Sequence, residues 1–359
     1  MRTYLGVDGG GTRTALCLLS EEGRVLAALD APSCYYLGSA ADEGVGLVAR
    51  VLREAVAALA AAAGLAPSEI TFAFFGLPAY GEVSADVPQL DAAPGTALGH
   101  ARYRCDNDMV CGWAGSLGLD DGINVIGGTG SMTYGRRGDE HVRVGGWGEL
   151  FGDEGSGYWV GTRGLQAFSQ MSDGRLPAGP LLEVLRRHLA LRADLDAVDL
   201  VLNRWRGSRR EIAALSRPVV EAARHGDEVA RTILGDAAAQ LVLLVETTRR
   251  RLGFPPQERV AVSYSGGMFS VPEVLQRFQR QLTTSAGLLE LRQPRYSPVV
   301  GAALYAARLA GFPLGNGALE RLSAAGAPSR ADGPGSGATV GTTTAAPRHP
   351  FPDEAPARP

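Results

Sequence analysis

Lysine is absent from the sequence, and all 35 basic residues are arginine. Without an amine side chain, the protein cannot carry a Walker A lysine, form a Schiff base or attach pyridoxal phosphate. A nucleotide, if one binds, must be held by backbone amides and hydroxyl groups, together with arginine or a metal ion.

Cysteine and histidine are few, with 4 and 5 residues. The cysteines form no CxxC pair, which favours buried, reduced thiols in a cytoplasmic protein. The histidines lie far apart and form no HxxxH or HExxH arrangement. We therefore expect no zinc site built from histidines.

Excess charge and long apolar runs are also missing. The formal net charge is -3 and the isoelectric point is near 6.0, so no positive field attracts nucleic acid or anionic lipid. No segment reaches the roughly 20 apolar residues of a membrane span, and Asp8 with three glycines interrupts any signal peptide. We expect a cytoplasmic protein that binds neither nucleic acid nor membranes.

The hydrophobic pattern predicts an α/β protein. The first half follows the order strand, strand, strand, helix, strand over residues 3–8, 14–19, 24–30, 42–63 and 70–77. A strand and glycine-turn pattern recurs from residue 123, and a mostly helical stretch with a long final helix follows it. A helix between strands implies a crossover onto the same sheet.

Length and composition divide the chain into three parts. At about 100 to 200 residues per domain, 359 residues suffice for two domains. We predict an N-terminal domain over 1–118 and a C-terminal domain with a helical insertion over 119–315. Residues 320–359 are rich in Ala, Gly, Pro, Ser and Thr, which predicts a disordered tail.

Three glycine turns each follow a buried strand, and they begin at Asp8, Gly127 and Ser265. Glycines let backbone N–H groups point into one concavity, and a nearby carboxylate such as Asp8 can hold Mg²⁺ through water. Each turn alone is also explained as an ordinary tight turn. The three together favour a site for a polyphosphate.

Asp106, Asn107 and Asp108 lie between the first two turns. A carboxylate at the edge of a phosphate cleft can accept the proton of an attacking hydroxyl in phosphoryl transfer. The alternative is an Asx turn or a helix cap for the segment that follows.

The segment from Gly145 to Gly157 contains many glycines, which are entropically costly in a plain loop and indicate close approach of the main chain to a ligand. Asp153 and Glu154 offer acceptors for sugar hydroxyls, and Trp147 offers an apolar face. Alternatively, Asp153 or Glu154 is simply a charge at the N-terminus of the next helix.

These motifs together resemble the BadF/BadG/BcrA/BcrD ATPase family, which includes N-acetylglucosamine kinases, within the sugar kinase, actin and Hsp70 superfold. The resemblance covers residues 1 to about 315, and the string GGWGELFGDEGSGYW at residues 145–159 is its most specific part. It implies two actin-like (ribonuclease H-like) domains with an interdomain cleft. It also implies ATP and Mg²⁺ as cofactors.

The resemblance implies a role for each matching residue. Asp8 would be the partner of Mg²⁺, and Asp108, rather than Asp106, would be the catalytic base. The nucleotide would contact residues of the glycine turns and of the sequence RHGD: Gly10, Gly11, Thr12, Arg13, Thr129, Gly130, Gly226, Gly266 and Gly267. The sugar would contact Gly146, Trp147, Gly148 and Asp153.

The activity implied is ATP-dependent phosphorylation of an amino sugar, with the 6-hydroxyl of N-acetylglucosamine as first choice. Glucosamine or N-acetylmuramate kinase remains open, because the segment 32–37 lacks the asparagine that family kinases carry there. An ATPase activator of a reductive dehydratase is a further alternative, but no cysteine follows Cys111 to hold its iron-sulfur cluster. A non-catalytic sensor of ATP and sugar is the third. Family members are commonly homodimers.

Overall fold

The computed structural model describes residues 1–37, 43–285 and 288–324. Two five-stranded mixed sheets dominate it, in the orders β3-β2-β1-β4-β5 and β8-β7-β6-β9-β10. The first sheet contains β1 (Thr3–Gly9), β2 (Arg13–Ser20), β3 (Val25–Pro32), β4 (Phe72–Leu77) and β5 (Tyr103–Asn107). The second contains β6 (Gly122–Gly127), β7 (Ser131–Arg137), β8 (Glu140–Gly145), β9 (Val260–Ser265) and β10 (Leu289–Leu291).

The two sheets repeat one topology. In each, the first strand runs antiparallel to the second and the second antiparallel to the third. The first strand also runs parallel to the fourth, which runs parallel to the fifth. The central strands are nearly continuous apolar runs because helices cover both faces of a sheet at its centre. This repeat confirms the prediction of an α/β fold with two similar halves.

Helices cover both sheets and form the insertion between β8 and β9. Those of the first half are α1 (Gly46–Ala62), α2 (Val87–Leu98) and α3 (Met109–Leu117). The insertion contains α4 (Gly157–Ser172), α5 (Pro180–Leu189), α6 (Asp196–Asp199), α7 (Arg209–Ala214), α8 (Ser216–Arg224) and α9 (Glu228–Arg251). The chain continues through α10 (Pro272–Thr283), α11 (Pro298–Leu309) and α12 (Asn316–Ala324).

The helices α3 and α11 cross at glycines and join the two halves. Although α3 follows the first sheet, it packs mainly on β6, β7 and β9, whereas α11 packs on β1, β2 and β4. A Cβ on Gly301 would overlap the backbone nitrogen of Gly115, and one on Gly115 would lie 2.5 Å from the carbonyl oxygen of Ser297. Only glycine allows this close approach.

The structure adds elements that the sequence pattern did not predict, namely α2, β8, α10, β10 and α12. Because α12 extends to Ala324, residues 320–324 are helical and the predicted tail cannot begin at residue 320. The rest of that tail lies outside the described residues. The two domain boundaries stay a prediction. Within the described ranges, no helix is long and apolar enough to cross a membrane.

Candidate active site

The carboxyl ends of β1, β4 and β5 meet at one edge of the first sheet because these strands are parallel. At this edge Asp8 pairs with Gly76, and Asp108 directly follows β5. Both acidic residues are half-buried. A Cβ on Gly76 would overlap the Sγ atom of Cys111 and lie 3.1 Å from the Cα atom of Asp108. Glycine at position 76 therefore lets the start of α3, which carries Asp108 and Cys111, pack closely against β4.

Both carboxyl groups hold their protons more tightly than usual. Burial raises the pKa of Asp108 to about 7, and the negative charges of Asp8 and Glu82 add to the rise, whereas Arg143 opposes it. Burial also raises the pKa of Asp8 to about 6, against a hydrogen bond with the thiol of Cys111. A carboxylate with a pKa near 7 is matched to accepting a proton at neutral pH.

The capping role considered for this segment belongs to Asn107. Its Oδ1 atom accepts a hydrogen bond from the backbone N–H of Met109 at 3.2 Å. Asp108 occupies the N-cap position of α3, but its side chain makes no capping hydrogen bond among the described residues. Asn107 rather than Asp108 therefore supplies the side-chain bond at the start of this helix.

The first glycine turn joins β1 to β2. The backbone N–H of Gly10 donates to the carbonyl of Arg13 at 2.8 Å, and the hydroxyl of Ser33 donates to the carbonyl of Gly10 at 2.7 Å. Gly11 and Thr12 lie exposed at the tip. Hydrogen bonds thus hold the base of the turn, and its tip is open to solvent, as an anion site requires.

The second and third glycine turns touch each other. Ile126 of β6 pairs with Ser265 of β9, so both chains leave the sheet at the same edge. Gly266 has a φ of +96°, and a Cβ there would lie 2.5 Å from the carbonyl oxygen of Gly127. Only glycine fits this position. Two turns that are far apart in sequence therefore form one wall.

The start of α4 fixes the second turn. The backbone N–H of Gly157 donates to the carbonyl of Gly128 at 2.8 Å, and that of Tyr158 donates to the carbonyl of Thr129 at 3.2 Å. The turn itself is closed by a bond of 2.9 Å from the N–H of Gly128 to the carbonyl of Gly130. The predicted nucleotide contacts Thr129 and Gly130 thus lie on a rigid turn.

The glycine-rich segment after β8 contains the predicted sugar contacts Gly146, Trp147 and Gly148. Gly146 and Gly148 adopt positive φ angles of +71° and +89°. A Cβ on Gly146 would lie 2.7 Å from the side chain of Met132 and 2.8 Å from that of Arg143. Trp147 is 73% exposed, so its ring is accessible to a ligand. The three sugar contacts stay a prediction.

Asp153 occupies a different environment from the one predicted. It is 1% exposed, its Oδ1 atom accepts a hydrogen bond from the N–H of Ser131 at 3.1 Å, and its Oδ2 atom pairs with Arg209. It is not a charge at the start of α4, which Ser156 caps and which has no acidic residue in its first turn. Asp153 holds the second turn through these two contacts, and its predicted contact with the sugar stays a prediction.

Gly226 lies between α8 and α9 with a φ of +92°. An ion pair of Arg224 with Glu273 joins the end of α8 to the start of α10, and α10 follows the third turn directly. A Cβ on Gly226 would have no neighbour within 4 Å among the described residues. Its predicted contact with adenosine, like those of Gly266 and Gly267, stays a prediction.

Charged pairs that join distant segments of the chain were missed by sequence reasoning. Glu82 follows β4, and its Oε1 atom lies 3.2 Å from the Nη2 atom of Arg143 on β8. Arg209, at the start of α7, pairs with Asp153 of the segment after β8. These partners are 61 and 56 residues apart. No local pattern marks such pairs, except that Ser208 before Arg209 is a typical helix cap.

The donor set of the cleft fits a magnesium ion. The described residues hold no group of three or more His, Cys, Asp or Glu side chains arranged for a metal. Mg²⁺ needs fewer protein ligands than three, since it is bound in nucleotide sites through one or two carboxylates with phosphate oxygens and water. Asp8, the predicted partner of Mg²⁺, can supply one such carboxylate. Burial is the main cause of the raised pKa of Asp8, and a divalent cation beside this carboxyl group would favour its ionised form.

Comparison with known proteins decides the family. The sequence pattern of the BadF/BadG/BcrA/BcrD ATPase family matches residues 5–306. The chain belongs to this family. The predicted resemblance is thereby confirmed, and with it the use of ATP by the family to which the protein belongs.

Within the BadF/BadG/BcrA/BcrD ATPase family the chain is similar to several amino-sugar kinases. It is 29% identical to N-acetyl-D-glucosamine kinase of Dictyostelium discoideum, with 84% of this chain and 97% of that protein covered. It is 27% identical to N-acetylmuramic acid/N-acetylglucosamine kinase of Clostridium acetobutylicum, with coverages of 85% and 98%. A solved structure of a presumed N-acetylglucosamine kinase from Chromobacterium violaceum superposes with a TM-score of 0.66 at 26% identity, covering 85% of this chain and 98% of that one.

Proposed function

We propose that this protein is an ATP-dependent amino-sugar kinase that phosphorylates the 6-hydroxyl of N-acetylglucosamine, with Asp108 as the general base. The observation that carries the proposal is the half-buried carboxylate of Asp108, whose pKa is raised to about 7 by burial and by the charge of Asp8 and which makes no side-chain capping bond to α3 among the described residues. The names of the similar kinases support the substrate class.

The nucleotide would lie between the glycine turns. The exposed tip at Gly11 and Thr12 would face the phosphates from one side, and Thr129 with Gly130 from the other. Gly266 and Gly267, in contact with the second turn, would border the ribose and base together with Gly226. Asp8 would hold Mg²⁺, which supplies positive charge to the β- and γ-phosphates when bound.

Asp108 would take the proton of the sugar hydroxyl as the hydroxyl oxygen attacks the γ-phosphorus. A bond forms between that oxygen and phosphorus, the bond from phosphorus to the bridging oxygen of ATP breaks, and ADP leaves. Most of the acceleration in such a transfer comes from position and charge. The half-buried crevice provides both, since it fixes the carboxylate and limits the water around it.

The sugar would lie against Gly146, Trp147 and Gly148, with Asp153 as an acceptor for a hydroxyl. The similar kinases act, by name, on N-acetylglucosamine and N-acetylmuramic acid and on glucosamine. The segment Pro32 to Leu37, which lacks asparagine, lies beside the first turn through Ser33. We therefore expect the N-acetyl and lactyl groups of the sugar to bind at this end of the cleft. The contacts there would determine which of these sugars the protein prefers.

Release of ADP in the presence of ATP and Mg²⁺, measured with a panel of hexoses and hexosamines, tests the proposal. The panel contains glucose, glucosamine, N-acetylglucosamine and N-acetylmuramic acid. We expect stimulation by the amino sugars above that by glucose, and a 6-phosphate product by NMR. No stimulation by any member would refute the kinase assignment. The homodimer and the cytoplasmic location stay predictions.

A further inference from the structure

Arg209 lies against the second glycine turn. It is the first residue of α7, which Ser208 caps through a bond from the N–H of Glu211. A Cβ on Gly130 would overlap the Nη2 atom of Arg209 and lie 2.8 Å from the carboxylate of Asp153. The guanidinium therefore covers the part of the turn that is predicted to meet a phosphate.

The guanidinium of Arg209 keeps unused hydrogen-bond donors in this position. Nη2 donates to Oδ2 of Asp153. Nε lies 3.4 Å from Oε2 of Glu149, but it makes no hydrogen bond among the described residues although it is buried. A guanidinium carries five N–H donors, and a buried donor without a well-aligned hydrogen bond is unfavourable. An acceptor that arrives with a ligand would remove this penalty.

Two other arginines near the predicted site form ion pairs away from the second glycine turn. Arg13 of the first turn pairs with Asp30 at 2.7 Å. Arg143 pairs with Glu82 at 3.2 Å and donates to the carbonyl of Gly145 at 3.3 Å. Since the sequence has no lysine, a side-chain cation for the phosphates must be an arginine. Of these three, Arg209 combines contact with a predicted phosphate turn and an unused buried donor.

We propose that Arg209 is a catalytic residue that donates hydrogen bonds to the oxygens of the γ-phosphoryl group during transfer. The inference rests on the proposed kinase function. A planar guanidinium matches two phosphate oxygens at once, and an arginine at the transferring group stabilises the charge that spreads over its oxygens. Movement of Arg209 toward the phosphate would also free Oδ2 of Asp153, so that a sugar hydroxyl could bind there.

The competing interpretation is that Arg209 only neutralises the buried Asp153 and so holds the second turn in place. The two roles differ in what they stabilise. A residue that only holds the turn in place affects the binding of ATP, ADP and a transition-state analogue equally. A residue that contacts the γ-phosphoryl group affects the binding of these ligands to different extents. The two roles also differ in their chemistry, because a guanidinium ion from solution can replace a missing catalytic guanidinium.

The experiment compares Arg209→Ala, Arg209→Gln and Arg209→Lys with the wild type, and uses Arg210→Gln of the exposed neighbour as the matched control. Activity is sugar-dependent release of ADP. We expect kcat to fall at least about 100-fold in the three Arg209 variants, as for loss of an arginine from phosphoryl transfer, with little change for Arg210→Gln. Guanidinium chloride in the millimolar range should restore part of the kcat of Arg209→Ala.

Binding measurements keep the test independent of turnover. Mg·ADP with aluminium fluoride should lose at least about tenfold more affinity in Arg209→Gln than Mg·ADP alone does. Equal losses for both ligands, or a kcat within threefold of the wild type in folded Arg209→Gln, would overturn the inference and leave the kinase assignment intact. Absence of sugar-dependent ADP release in the wild type would instead overturn the proposed function, and this inference with it.

Discussion

Replacement of Asp108 by asparagine is expected to stabilise the ligand-free protein at alkaline pH and to lower its turnover strongly. The carboxyl group has an ordinary pKa of 3.8 when the chain is unfolded and a pKa of about 7 when it is folded. Between these values the folded chain binds more protons than the unfolded chain. The free energy of unfolding therefore decreases as the pH rises through this window.

The size of the effect follows from the two pKa values. At pH 8 the ionised carboxylate disfavours the folded state by about 4 kcal/mol relative to the neutral carboxyl group. Asparagine has nearly the same shape and carries no charge at any pH. Asp108→Asn should therefore gain up to about 4 kcal/mol at pH 8 and nearly nothing at pH 4. Its kcat should fall by about 10²- to 10⁴-fold if Asp108 is the general base.

Thermal or urea unfolding at pH 4, 6 and 8, without Mg²⁺ and with EDTA, measures the stability. Asp106→Asn is the matched control, because burial also raises the pKa of Asp106 but its side chain bonds to the N–H of Asn107 at 2.7 Å. That variant should gain stability in the same direction and keep its turnover. A loss of stability at pH 8 in Asp108→Asn, or equal turnover losses in both variants, would refute the reasoning.

Three further outcomes are expected. Gly301→Ala should destabilise the protein by at least about 3 kcal/mol in urea unfolding, because its Cβ would overlap the backbone of Gly115. Gly317→Ala is the control: a Cβ there has nothing within 4 Å among the described residues, so this variant should be neutral or slightly stabilising. A double-mutant cycle of Glu82→Gln and Arg143→Gln, measured by unfolding, should show a coupling free energy of about 1 kcal/mol, since both side chains are partly buried at 29% and 27% exposure. A coupling free energy of zero would contradict a stabilising pair. The four cysteines are free and buried, and burial raises their pKa, so all four should react with a thiol reagent only after denaturation.

The sequence by itself determined the local features of the site. The glycine turns, the strands before them and the carboxylate after β5 are readable because a turn or a buried strand depends on neighbouring residues. The absence of lysine likewise restricts the phosphate donors in any fold. The sequence also allowed an Asx turn or helix cap after β5 without deciding its residue, since Asn107 and Asp108 are adjacent and both are typical helix caps; in the structure Asn107 makes the bond.

Tertiary structure alone decided which of these features meet. The neighbourhood of Asp8 and Asp108 depends on the parallel pairing of β1, β4 and β5, and the contact of the second and third turns depends on that of β6 and β9. The pairing of Arg209 with Asp153, 56 residues away, follows from how α7 packs on α4. Such contacts are set by the path of the whole backbone through the core, and no short segment of the chain encodes them.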